Sequence, residues 1–172
     1  MSGLPRAQSF TRAGDWNEAA DRVVLDYEGR FLRRRRLTTK GGLSFLADLA
    51  ETTSLQPGDA FRLEDGRHIE VVGAEEALLV VRGDTPRLAW HIGNRHTPCQ
   101  ICPDRLVIRH DHVLQAMLER LGAEVTPARG PFLPEGGAYG MGRTMGHDHG
   151  HDHGASHHHH SHRHAAQPEA GE

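Results

Sequence analysis

Between Leu78 and Pro127 the apolar residues change spacing in a fixed order, and that order constrains the fold more than any other feature of the chain. Leu78 to Arg82 (LLVVR) reads as a strand. Thr85 suits a helix N-cap with Pro86 at the first helical position, and Leu88, Ala89 and Ile92 form a short apolar face that Gly93 ends. Gln100-Ile101 and Leu106 to Arg109 are strand candidates around Pro103-Asp104. Asp111 is a good N-cap for a second helix, in which Val113, Leu114, Met117, Leu118 and Leu121 recur at helical spacing before Gly122 at C′. Glu124 to Pro127 supplies a last strand. Strand, helix, strand, strand, helix, strand is the ferredoxin-like βαββαβ order, with helices on one face of an antiparallel sheet.

The part before this unit has a different rhythm. Arg22 to Tyr27, Phe31 to Thr38 and Leu43 to Leu49 read as strands, separated by Glu28-Gly29 and Gly41-Gly42. After the Pro57-Gly58-Asp59 turn, Ala60 to Leu63 and Arg67 to Val72 flank Asp65-Gly66, a strong hairpin signal. These short strands without helical period predict a small all-β unit ending near Gly73. The expected class is α+β, divided as 1–74, 75–143 and a tail, 144–172. The run Arg33 to Arg36 lies within one of these strands. Alternate strand residues face opposite sides, so the four do not form one continuous patch. They read as a solvated edge guarded by charge or as a docking surface for an acidic partner.

Past Gly130 the chain is rich in proline and glycine (GPFLPEGGAYGMG), with Phe132, Leu133 and Tyr139 as possible anchors onto the second unit. Beyond Met145 apolar content falls too low to offset the entropy of ordering, which predicts a disordered tail. Charge is nearly balanced, 20 basic against 23 acidic residues, without the positive excess of a nucleic-acid binder. No run reaches the roughly 18 apolar residues that span a bilayer, and the N-terminus has no signal-peptide core. A cytoplasmic protein is expected.

The outlier is histidine, 15 of 172 residues. Neutral imidazole is the commonest metal-ligating side chain and suits nickel, copper and zinc. His110 and His112 flank Asp111. If that residue lies on extended chain, both imidazoles point to one side; in a helix they diverge by about 200°. They are a ligand pair or two surface histidines. His96 alone cannot hold a metal tightly, but two copies across a two-fold axis can, so a ligating His96 predicts a homodimer. His91 suits packing or support of a ligand better than direct ligation, and His68 reads as a surface or edge residue. Cys99 and Cys102 form half a tetrahedral zinc site with no second pair. They are incidental thiols, an accessory thiolate site or, least compatibly with the flanking prolines, a redox pair. The tail carries His147, His149, His151, His153, His157, His158, His159, His160, His162 and His164, interrupted by Asp148 and Asp152. That is a metal-collecting segment rather than an uninterrupted tag, without geometry to select among ions.

HIGNRHTPCQICPDRLVIRHDHVLQAML closely resembles the signature of the UreE urease accessory proteins, a nickel metallochaperone family. RRRRLTT, GLSFLADL and LQPGDAFRLEDG resemble that family's N-terminal domain, and GPFLPEGGAYG before a histidine-rich tail matches as well. The resemblance runs from about Asp21 over nearly all the remaining chain. It implies a two-layer, sandwich-like β domain linked to partner binding, followed by a ferredoxin-like metal-binding domain. It further implies a homodimer with nickel at His96 on the interface, additional metal positions at His110 and His112, and a tail that adds capacity. The implied role is nickel delivery to apo-urease with a GTPase accessory protein and its scaffold partners, not catalysis. Two other readings compete. Storage or detoxification of nickel, zinc or copper would use the tail as a sponge. A hydrolytic metalloenzyme would need an open metal position beside a general base, and neither an HExxH arrangement nor an acid–base pair is present.

Overall fold

The computed structural model describes residues 3–136. Among these residues ten strands and two helices form two sheets, and no helix is long and apolar enough to cross a membrane. The first sheet holds β1 (Arg6–Thr11), β2 (Asp21–Leu25), β3 (Phe31–Thr38), β4 (Ser44–Ser54), β5 (Ala60–Leu63) and β6 (His68–Gly73). Its spatial order is β2-β6-β5-β1-β4-β3, with β1/β4 and β2/β6 parallel.

The two edge strands of this sheet share one core. Val23 and Leu25 of β2 and Leu32 and Leu37 of β3 lie in the same buried cluster as Phe45 and Phe61. The sheet is therefore curled until its ends approach over common apolar surface. Thr39 Oγ1 donates to Asp21 Oδ2 at 2.5 Å and the Lys40 N–H donates to the Arg22 carbonyl at 2.8 Å, which ties the ends together. The two layers expected from the resemblance are thus two halves of one sheet. What joins them is β1, which pairs with β4 on one side and β5 on the other. Strand propensity is weak in RAQSFT, where only Ala7 is buried, so the pattern of apolar residues does not announce this strand. β4 also runs past the expected Leu49 to Ser54, because its polar second half pairs through backbone with Phe31 and Leu32.

The second sheet holds β7 (Glu76–Arg82), β8 (Gln100–Ile101), β9 (Leu106–Arg109) and β10 (Glu124–Gly130) in the order β10-β7-β9-β8, all antiparallel. Helices α1 (Thr85–Gly93) and α2 (His112–Arg120) cover one face. Leu88 and Ile92 of α1 and Leu114 and Leu118 of α2 pack on Leu79, Val81, Leu106 and Ile108. This is the ferredoxin-like arrangement expected from the sequence. Asp84, not Thr85, caps α1, accepting from the Arg87 N–H at 3.3 Å, and Pro86 still falls in the first turn. Asp111 caps α2 as expected, and Gly122 follows its end at φ 88°, where a Cβ is strained. β10 extends to Gly130, beyond the expected Pro127; on an edge strand proline removes no needed ladder bond.

The other face of the second sheet is covered by a junction with the first. Tyr27, just after β2, packs with Leu78, Val107 and Phe132, its ring edge-on to Phe132 at 5.3 Å. The Tyr27 N–H donates to Glu76 Oε2 at 2.9 Å, and Arg30 Nη2 donates to the Phe132 carbonyl at 2.5 Å. Gly73 leaves room for Pro131, whose Cβ would stand 2.7 Å from any Cβ placed there. The segment then runs along the free edge of β8: the Leu133 N–H donates to Gln100 Oε1 at 3.4 Å and the Glu135 N–H to the Cys99 carbonyl at 2.9 Å. Phe132 is the expected anchor and is 0% exposed, whereas Leu133 is 41% exposed; Tyr139 lies outside the described residues. Phe132→Ala should therefore cost about 3–5 kcal/mol in urea unfolding, while Leu133→Ala should stay within about 0.5 kcal/mol. Equal effects would remove Phe132 from its place at the junction.

Candidate metal site

Helix α1 ends in a reversal that presents a histidine. Ile92 is buried and anchors the last turn, and Asn94 caps it. The Arg95 N–H donates to the Ile92 carbonyl at 3.1 Å and the His96 N–H to the Gly93 carbonyl at 2.9 Å. His96 then takes φ 55°, the sole non-glycine residue with positive φ among the described residues. Glycine ordinarily fills this position, because the left-handed backbone costs other residues about 1–2 kcal/mol. An exposed imidazole held where glycine would be easier directs attention to what that imidazole does.

His110 enters from the other side. It follows β9, and its N–H donates to the Ala77 carbonyl at 2.9 Å, extending the β7–β9 pairing by one step. Asp111 is extended, at φ −149° and ψ 117°, and its carboxylate accepts from the Val113 and Leu114 N–H groups at 2.8 and 3.0 Å. His112 is the first residue of α2. An open groove of about 640 Å³ is lined by His96, Thr97, Pro98, Arg109, His110 and Asp111, with Glu76, Ala77 and Leu114 at its sides. The structure brings His96 and His110 to one groove. His112, though exposed, does not line it. The ten tail histidines, His147 to His164, lie outside the described residues.

Arg109 and Glu76 are groove residues that the histidine pattern did not single out. Arg109 Nη2 pairs with Glu28 at 3.0 Å and its guanidinium lies 5.4 Å from the Tyr27 ring centre. The adjacency of Arg109 to His110 was the available signal. Among the described residues no three His, Cys, Asp or Glu side chains are grouped so as to hold one metal ion. His91 is half-buried and meets Trp90 edge-on at 5.1 Å, away from the groove lining. His68 is not an edge residue. It lies on β6, between β2 and β5, and stacks on Trp16 at 5.8 Å.

The two cysteines flank β8 but join different packed clusters. Cys99 borders the core between sheet and helices; Cys102 borders the junction around Tyr27 and Phe132. Burial pushes the Cys99 thiol up to about 11, and the nearby Cys102 and Glu135 add to the shift. Burial removes water from the thiolate and so favours the neutral thiol. That is the behaviour of an incidental packed thiol rather than of a ready ligand or redox nucleophile.

The UreE urease accessory protein N-terminal domain matches residues 4–74, and the C-terminal domain of the same family matches residues 75–165. The urease accessory protein UreE of Rhodobacter capsulatus is 61% identical over 145 residues, covering 84% of this chain and 93% of the relative. That of Ruegeria pomeroyi is 60% identical over 142 residues, 82% and 95% of the two chains. That of Paracoccus denitrificans is 66% identical over 122 residues, 71% and 79%. A curled β sheet, a ferredoxin-like unit and these matches define an accessory protein of urease maturation. Within that class, the chain belongs to the UreE family.

Two outcomes are expected of this geometry. Metal-free His96→Gly should melt higher than metal-free His96→Ala, by the equivalent of about 1 kcal/mol; equal melting temperatures would mean that the turn relaxes out of the left-handed region. In a Cys102→Ser background, Cys99 should react slowly with iodoacetamide at pH 8, where about one thiol in a thousand is ionised, and roughly tenfold faster per pH unit up to about 11. A fast reaction at pH 8 would contradict the packed thiol.

Proposed function

We propose that the protein is a nickel-binding metallochaperone that delivers Ni(II) to apo-urease while the urease metallocentre is assembled. The observation that carries this reading is the pairing of His96, held on a left-handed turn, with His110 along one exposed groove in a chain of the UreE family. Nickel is cargo here, so the site must bind it without enclosing it. Imidazole provides borderline-soft nitrogen donors suited to nickel, and zinc and copper bind the same donors. One groove supplies two histidines, too few for tight binding. A homodimer that sets His96 against its own copy doubles the donors, because an isologous contact repeats each residue across the axis.

In this reading His110 and His112 are further metal positions and His147 to His164 collect ions weakly. Residues 1–74 form the partner-binding domain, 75–143 the metal-binding domain and 144–172 the collecting tail. The partners are the urease accessory GTPase and the complex of apo-urease with its accessory proteins. The protein works in the cytoplasm and catalyses no reaction of its own.

Nickel titration of three proteins, each with its native mass measured, tests the proposal. The full chain should bind several ions as a dimer. Truncation after Met145 should remove most of that capacity and keep the tightest site, with the metal-free melting temperature almost unchanged. His96→Ala should lose the tightest site and keep the weak ones. Ligating imidazoles must be neutral and histidine's reference pKa is about 6.5, so capacity should fall between pH 7.5 and 5.5. Tight binding that survives His96→Ala and vanishes on truncation would favour storage by the tail.

A further inference from the structure

A second exposed surface lies at the far edge of the curled sheet, on β3. Among the described residues β3 pairs with β4 and with no other strand, which leaves one side of its backbone open along Arg33 to Arg36. Outside that ladder no described backbone hydrogen bond involves Arg33, Arg34, Arg35 or Arg36. All four side chains are exposed, between buried Leu32 and Leu37. Leu32 and Leu37 are five residues apart, an odd step that regular alternation would turn to opposite faces. The ladder is irregular between Leu32 and Arg34, where four residues of β4 stand against one of β3. Both leucines are buried, with an uninterrupted basic stretch between them. Along a sheet edge, side chains of both faces can be reached from the rim, so alternation does not divide this charge for a ligand approaching edge-on.

The charge is also poorly neutralised. Asp48 is 3.6 Å from Arg34 and 3.8 Å from Arg6, one carboxylate between two guanidinium groups. Among the described residues no carboxylate forms an ion pair with Arg33, Arg35 or Arg36. This local excess stands in a chain whose formal charge is −3. A charge guard alone needs only a residue or two on an edge. Four exposed arginines in a row, of which only Arg34 shares Asp48 with Arg6, beside open backbone donors and acceptors, match a ligand that brings both negative charge and an extended backbone.

We propose that β3 is a docking edge for an acidic, extended peptide segment of a partner protein, which adds to the sheet as a further strand. Backbone pairing along the edge supplies affinity, and carboxylates set against Arg33 to Arg36 supply selectivity and fast encounter. The edge belongs to the unit read above as partner-binding, and the proposal gives that reading a surface and a chemistry. It involves none of the groove histidines, so it stands or falls separately from nickel binding.

The test is fluorescence anisotropy of the full-length protein with a short fluorescein-labelled peptide of alternating glutamate and valine. Binding should be seen at low salt and weaken as salt rises. The triple variant Arg33→Gln, Arg35→Gln, Arg36→Gln should bind roughly tenfold or more weakly, with nickel titration and melting temperature unchanged. A single Arg36→Glu variant should give a smaller loss in the same direction, should the triple variant misfold. A peptide of equal charge with prolines in place of valines should bind much more weakly. Equal binding of the proline peptide, tighter binding of a single-stranded oligonucleotide, or no binding at all would each overturn the proposal.

Discussion

The contact between Tyr27 and Phe132 is where the two halves of this molecule become one. Each sheet buries its own apolar cluster, and neither needs the other to close. The outer face of the second sheet, with Leu78 and Val107, is left apolar, and those two rings cover it. Polar groups then fix the angle of the contact: Glu76 accepts from the Tyr27 backbone, and Arg30 donates to the Phe132 carbonyl. Arg109 reaches the same place from β9, pairing with Glu28 and lying over Tyr27. It also lines the histidine groove. Glu76 lines that groove too, so the first sheet is in mechanical contact with the candidate site through two side chains, Arg109 and Glu76.

Much of this was legible in the chain because local signals agreed with the tertiary result. In the second unit helical and strand periods, Asp111 and Gly122 all indicate the same boundaries, and the structure has them there. The first unit was legible strand by strand but not as a sheet. β1 lies in its middle with a single buried side chain, so its place is determined by pairing partners remote in sequence. The groove was half legible. His96 and His110 stand out by residue type, but Arg109 and Glu76 join them only through the antiparallel pairing of β7 with β9. The separation of Cys99 from Cys102 into two clusters likewise depends on which face of β8 each adjoins, a fact of packing rather than of spacing.

His96 shows local preference overridden. The backbone hydrogen bonds at the end of α1 would be served as well by glycine at that position, and the backbone would be less strained. Elsewhere the chain follows local rules closely: a carboxylate at each helix N-terminus, proline in a first turn, glycine after α2. A conflict confined to one exposed histidine, on the rim of the groove, is the pattern expected where a side chain is kept for its chemistry.

The strap formed by Leu133 and Glu135 along β8 has a consequence for the rest of the chain. Glu135 is bonded to Cys99, and Cys99 adjoins Pro98 on the groove wall. The chain therefore leaves Gly136 beside the groove, and His147 follows eleven residues later. However those residues are arranged, a span of that length reaches about 39 Å at most. The strap thus sets a ceiling on how far His147 can stand from the groove wall, and that ceiling is fixed by chain length alone.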